Sequence, residues 1–449
     1  MLPPQQPEHT QPPRLDRALS LTQATAINMI DMVGIGPFVV IPFIVGAMQG
    51  PLSILAWLLG ALLAYMDGLV WAELGAKWPE AGGSYVFLQK LFKGRAGKLM
   101  AFLFIWQTTI QAPLVVASGA IGFSQYLTYL IPLGFYEKKM VSGALIILLV
   151  ALLYRNIRSI GKISVLLWFI TGGTILWLII SGLGHFNASM AFDWKTGEDG
   201  LSALFFVAVG QASLKAVYSY LGYYNVCHLG AEISNPAKNI PRSIFLSITG
   251  IAILYLGMQT VILGVLPWQE VAASDFVVST YFERIYNHTA GQIATVLVLC
   301  IALASLFSVI LGYSRVPYAA AKNGDFFKVF AKVHPKHHFP HISLLALGGL
   351  AFIFSLLFKM KEVITAIIIM RILIQFVSQA VGVIAWHRRE PRSSRPFNMP
   401  LFPIPAIISI LIWMFIFFSS ELEFILFAVG IIVLGVILFL FKEKRSNER

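Results

Sequence analysis

The sequence predicts an all-α integral membrane protein with about twelve transmembrane helices. Three observations lead there. Of 449 residues, 57% are hydrophobic and 12% charged. A soluble domain carries about 25% charged residues, so this chain has too few for a surface that is wet on every side. Apolar stretches recur along nearly the whole length, each about the 20 residues a helix needs to cross the hydrocarbon. The basic residues gather in alternate connecting segments, which is the pattern that orients membrane helices.

Spans are expected at 20–45, 51–76, 97–130, 140–156, 162–184, 200–232, 242–266, 291–320, 341–358, 362–386, 402–420 and 423–441. The second opens at Pro51, a residue suited to a first helical turn. Several are longer than the hydrocarbon requires, which implies tilt, a break or an extension into water. Residues 1–18 are polar and proline-rich and read as a disordered cytoplasmic tail. No short apolar region with a cleavage site precedes the first span, so no secretory signal is expected. Residues 442–449 form a second cytoplasmic tail.

Of the 33 lysines and arginines, 24 fall in the tails and one set of alternate loops, and six fall in the other set. Lys215, Arg315 and Arg371 lie inside spans. The asymmetry places both termini in the cytoplasm of a multi-pass cell-membrane protein. The net charge of +12 is therefore a topology signal, and nucleic acid is not an expected partner. Cys227 and Cys300 both sit in apolar runs. They read as small buried hydrophobes with no disulfide framework or metal spacing.

Two spans are interrupted. The first reads Asp31-Met32-Val33-Gly34-Ile35-Gly36-Pro37-Phe38. Pro37 removes a donor and disfavours helical geometry at Gly36. The sixth reads Tyr218-Ser219-Tyr220-Leu221-Gly222-Tyr223-Tyr224-Asn225, with a glycine among polar and aromatic residues at its middle. Backbone groups freed at membrane depth must face protein, water or a ligand. Breaks in corresponding spans are the best sequence pointer to a transport site. If spans 1–5 (residues 19–184) and 6–10 (residues 200–389) form inverted repeats, the breaks meet near the bilayer midplane, with 402–441 as two added helices. Half-helix N-termini then offer N–H groups to a carboxylate, and opposing carbonyls receive an ammonium. A small zwitterion fits both poles. The expected contacts are Val33, Gly34, Ile35, Gly36, Tyr218, Ser219, Leu221 and Gly222, with Gln107 from the third span. Tyr220, Tyr223 and Tyr224 are further candidates for the wall.

At these residues the sequence resembles the amino acid-polyamine-organocation (APC) superfamily of permeases. Gly34-Ile35-Gly36 looks like its glycine-x-glycine break. Glu73-Leu74 with Pro79, Gly82, Gly83 and Tyr85 resembles the segment after its second helix. Glu232 to Arg242 resembles the segment after its sixth, and Ser314 to Tyr318 with Gly324-Asp325 resembles the end of its eighth. The resemblance covers roughly residues 20–400. It implies the leucine-transporter fold, a 5+5 inverted repeat here followed by two C-terminal helices. It also implies alternating-access transport of amino acids. Many bacterial members carry a lysine within the fifth helix in place of a sodium ion. Here only Lys162, at the start of that span, is present.

Ionisable groups at membrane depth are costly and mark function. Asp31 is a candidate for a substrate ammonium or a coupling proton. Lys215, about one turn from the sixth-span break, could replace a sodium charge or pair with an acid. Asp67 is expected to pair with Arg371 or Lys215, and Arg371 to face the interior in a gating or structural role. Glu73 reads as structural or a gate partner. Ser305 and Ser308 could line a cation site or simply pack helices. The loop histidines His334, His337, His338 and His341 lack ligand partners at metal spacing and read as solvated.

The expected partners are a small amino acid or amine, the lipid bilayer and protons, with no cofactor. Gly36-Pro37-Phe38 is similar to a feature of plant polyamine permeases, which keeps polyamines as an alternative. An enzyme would need a clustered nucleophile, base or metal set that the sequence does not offer. No phosphate-binding loop points to ATP.

Overall fold

The computed structural model describes residues 15–194, 203–357 and 367–447. Of the tails, residues 1–14 and 448–449 lie outside these, as do Lys195, Lys359 and Lys361 of the charge count.

Helix α1 (Leu21–Met32) starts where Ser20 and Gln23 cap each other. The Gln23 N–H donates to Ser20 Oγ (3.4 Å), and the Ser20 N–H donates to Gln23 Oε1 (2.9 Å). This is a capping box. After a gap at 33–35, α2 (Gly36–Met48) continues at an angle of 45°. Pro37 sits in its first turn, where a missing N–H costs nothing. A 3-10 turn at Pro51–Ser53 leads into α3 (Ile54–Lys77). The first half continues with α4 (Ser84–Phe92), α5 (Gly94–Leu127), α6 (Phe135–Leu153), α7 (Ile157–Leu183) and α8 (Ala188–Ala191).

The second half begins with α9 (Ala203–Tyr220), followed by turns at 221–224 and the short α10 (Asn225–His228). Then come α11 (Pro236–Val265), α12 (Trp268–Ala273), α13 (Val277–Ile285), α14 (His288–Tyr313), α15 (Arg315–Lys322) and α16 (His341–Leu357). Helix α17 (Ile367–His387) contains a π-helical turn at Ile372–Val377. Helices α18 (Ile404–Phe418) and α19 (Leu422–Asn447) close the chain.

Helices stand in all twelve expected stretches, though not all as uniform apolar spans. Among the described residues, seven are long and apolar enough to cross a membrane, and the α1–α2 pair makes an eighth. Helices α16 and α18 are shorter apolar ones. Helix α6 starts at Phe135, so its first turns carry Glu137, Lys138 and Lys139. The sixth stretch was expected to run to 232, but its long helix stops at Tyr220.

The outer surface is a belt of exposed aliphatic and aromatic side chains. Phe169, Ile180, Ile253 and Leu426 are each more than 60% exposed. An apolar surface this extensive is lipid-facing. The broken helices lie inside the bundle. Helix α1 packs on α7, α11 and α14, while α2 packs on α9, and α3 packs on α9 and α11. Helix α19 leans on α5 alone among its stronger contacts, where Trp106 Nε1 donates to the Ile431 carbonyl (3.2 Å).

Away from the bundle centre, α13 is tied down by Glu283. The Tyr129 hydroxyl donates to Glu283 Oε1 (2.6 Å). That bond, with His288 beside it, holds the carboxyl below its ordinary pKa.

Candidate functional site

Both breaks are present, and they touch. Gly222 has φ +125°, a conformation that a side chain disfavours. A Cβ there would also lie 2.8 Å from Met32 N and 2.9 Å from Asp31 Cγ. The sixth-span break is thus pressed directly against the first. Across the same junction, a Cβ at Gly34 would meet Ser305 Oγ at 2.6 Å, and one at Gly36 would meet the Tyr218 ring at 3.1 Å. At Gly222 and Gly34 the elements approach more closely than a Cβ allows without a shift, and at Gly36 the contact would be tight.

The freed backbone groups are divided between protein partners and a cavity. The Tyr255 hydroxyl of α11 lies 2.8 Å from the Met32 carbonyl and 3.0 Å from the Ser219 carbonyl. One proton is therefore shared between the carbonyl ends of both broken helices. Asn28 Oδ1 accepts from the Val226 N–H (2.9 Å), which caps α10 from α1. Asn225 Nδ2 reaches both the carbonyl and the hydroxyl of Ser308 (2.9 Å each). On α14, Ser305 donates to the Asp31 carbonyl (3.2 Å) and Ser308 to the Ile27 carbonyl (2.7 Å). By contrast, no side chain caps the start of α2.

At that uncapped start lies a cavity of about 700 Å³, counting its open mouth. Gly34, Ile35 and Gly36 line it with Asp31 and Met32 from α1. Tyr218, Ser219, Leu221, Gly222 and Tyr224 form the opposite break's share. Val115 and Gly119 of α5, Ser305 and Tyr313 of α14, and Arg371 of α17 complete the wall. Asp31 is the one acidic residue and Arg371 the one basic residue in this lining among the described residues.

Seven of the nine expected contacts line the cavity. Val33 and Gln107 do not. Val33 is fully buried, and Gln107 is buried with no partner for its Nε2 among the described residues.

Of the four expected charged residues, Asp31 and Arg371 line the cavity, whereas Asp67 and Lys215 lie outside it. Asp67 does not pair with Arg371 or Lys215 as the sequence suggested. It accepts from the Tyr223 hydroxyl and from Ser409 Oγ (3.1 Å). Neutral hydroxyls from the turn at 221–224 and from α18 satisfy it more cheaply than desolvating a second charge. The Lys215 ammonium sits over the Phe43 ring, 5.4 Å from its centroid, within the field of Glu421. Glu73 accepts from His387 (2.9 Å) and lies 3.5 Å from Arg395.

Residues 19–441 match the family model described as amino acid permease. The chain belongs to the amino acid permease family. It is 25% identical over 398 residues to cationic amino acid transporter 4 of Homo sapiens, covering 85% of this chain and 61% of that protein. It is 24% identical over 454 residues to the branched-chain amino acid permease BcaP of Bacillus subtilis (strain 168), covering 96% and 94%. To the serine/threonine exchanger SteT of the same organism it is 25% identical over 418 residues, covering 90% of each. The chain thus spans less than two thirds of the human transporter and nearly the whole of the bacterial ones.

Sequence reading overlooked two features of this permease. Tyr255 and Tyr313 are tyrosines in mostly apolar spans, and that was the available signal. The buried pair of Arg315 and Glu232 is the second. Nε and Nη2 of Arg315 donate to the two carboxylate oxygens of Glu232 at 2.9 and 2.8 Å. Of the sequence's aromatic candidates, Tyr218 and Tyr224 line the cavity. Tyr220 instead packs on Trp57 and Tyr255.

Proposed function

We propose that this permease is a secondary active transporter that carries amino acids across the cell membrane by alternating access, driven by protons. The observation that carries the reading is the contact of two broken helices at Gly222 and Asp31, beside a cavity lined by the uncapped start of α2. The unpaired N–H groups of a helix start attract a carboxylate, and Asp31 offers an ammonium its counter-charge. A zwitterion meets both. The family match and the amino acids named for the relatives support the same substrate class.

Residues 19–184 and 200–389 act as two inverted repeats, with both termini cytoplasmic. Asp31 is the coupling group, since it is the one lining carboxylate among the described residues. Asp67 and Lys215 hold and gate the surrounding helices. A polyamine is the weaker reading, because its second ammonium would share the cavity with the permanent charge of Arg371.

Uptake into proteoliposomes of a labelled amino acid and amine panel tests this, with proton and sodium gradients imposed separately. Amino acid uptake should follow the proton gradient. Gly34→Leu should abolish it, since even a Cβ meets Ser305, and Asp31→Asn should uncouple it. Unchanged transport by both variants, or uptake of spermidine alone, would overturn the reading.

A further inference from the structure

Arg371 is a permanent cation within a membrane-spanning helix and is 4% exposed. A guanidinium in that setting requires anionic or carbonyl partners. Its Nε donates to Gln375 Oε1 (2.7 Å). Its Nη2 is buried, and among the described residues no acceptor meets it. The rings of Tyr224, Tyr313 and Phe376 surround it, with centroids 5.3, 5.6 and 5.6 Å from Cζ. Those faces steady the charge, and the Tyr224 hydroxyl lies close enough to bond to the guanidinium, yet Nη2 keeps no acceptor among the described residues. The π-helical turn at Ile372–Val377 begins at the next residue, and such turns recur at functional sites.

We propose that Arg371 receives the side chain of the transported molecule and selects amino acids whose side chain ends in a carboxylate. The inference rests on the amino acid reading above and adds the substrate class. Charge matching within one cavity leads to it. Asp31 and Arg371 both line that cavity and feel each other's field. A neutral amino acid brings an ammonium that draws on Asp31 and leaves Nη2 of the guanidinium without an acceptor among the described residues. An acidic amino acid brings one ammonium for Asp31, an α-carboxylate for the start of α2, and a second carboxylate for Arg371. A guanidinium meets a carboxylate through two parallel N–H···O bonds. A lysine-like or polyamine ligand would place two cations together. Tyr224, Tyr313 and Arg371 all line the cavity, so the guanidinium lies beside the bound molecule.

The test uses the full chain in proteoliposomes and compares labelled L-glutamate with L-glutamine, and L-aspartate with L-asparagine. These pairs differ only in side-chain charge. In the wild type, at least one acidic member should show kcat/KM about tenfold or more above its amide, a modest yield for one charged hydrogen-bonded pair. Arg371→Gln should bring that ratio close to one, mainly through KM. Arg371→Lys should keep a reduced preference. If Arg371→Gln does not fold, the wild-type ratio and the thermal stabilisation of the wild type by glutamate against glutamine decide. A wild type indifferent to side-chain charge, or an unchanged ratio in Arg371→Gln, overturns the inference and leaves the amino acid reading standing. Failure to transport any amino acid removes both.

Discussion

Gly222 shows how one residue can serve two requirements at once. Its φ of +125° ends the long helix α9 where polar groups become available. Its missing side chain lets the backbone of α1 come within contact of it. Alanine would meet both obstacles, a strained backbone costing about 1–3 kcal/mol and a clash with Met32 N and Asp31. Gly222→Ala is expected to reduce uptake by about tenfold or more and to lower the melting temperature in detergent. Gly349→Ala on α16, where nothing lies within 4 Å of the added Cβ, should leave both unchanged. Equal behaviour of the two variants would show that close approach at the breaks is unimportant. Gly34, Gly36 and Gly222 were legible in the sequence because their immediate neighbours suffice to interrupt a helix. Proline follows Gly36 directly, and polar aromatics flank Gly222 inside an apolar run. The partners of Asp67 were not legible, because the hydroxyl of Tyr223 is 156 residues away and no local pattern announces it.

At the scale of elements, short α10 is held by its neighbours more than by its own hydrogen bonds. Four residues cannot form a stable helix alone. Asn28 caps it, and Asn225 anchors it to α14. Just beyond, Glu232 forms its buried fork with Arg315 at the start of α15. The Glu232 carbonyl meanwhile accepts from the Ala18 and Leu19 N–H groups (3.0 Å each). One residue therefore joins the start of the chain, the sixth span and the eighth. Arg315→Met leaves a buried carboxylate without its partner and should cost about 3–5 kcal/mol of stability. The double variant Glu232→Leu/Arg315→Met should recover most of that loss, as followed by thermal melting in detergent. If the double variant is no more stable than the single, the cost lies in packing and not in the orphaned charge.

The whole molecule is organised by the absence of water around its middle. Lipid cannot hydrogen-bond the backbone, and the two helix breaks lie inside the bundle, against each other. The proposed orientation puts the basic loops on the cytoplasmic side. In a background with Cys227 and Cys300 replaced by serine, Lys138→Cys should react with an impermeant maleimide from outside intact cells. Lys336→Cys should react only after permeabilisation. Labelling of both from the same side would contradict the orientation.

The sequence by itself determined the all-α membrane architecture, the positions of the spans and the two points where helices stop. Each is a local matter of length, hydropathy or a glycine and proline that the backbone must obey. Only the tertiary structure decided that the two breaks touch, and that Asp31 and Arg371 share a cavity while Asp67 and Lys215 do not. Only it showed that Tyr255 serves both carbonyl ends. Those outcomes depend on which faces of distant helices meet. At membrane depth each polar group takes whichever partner packing brings near, and the spacing of residues along the chain does not specify it.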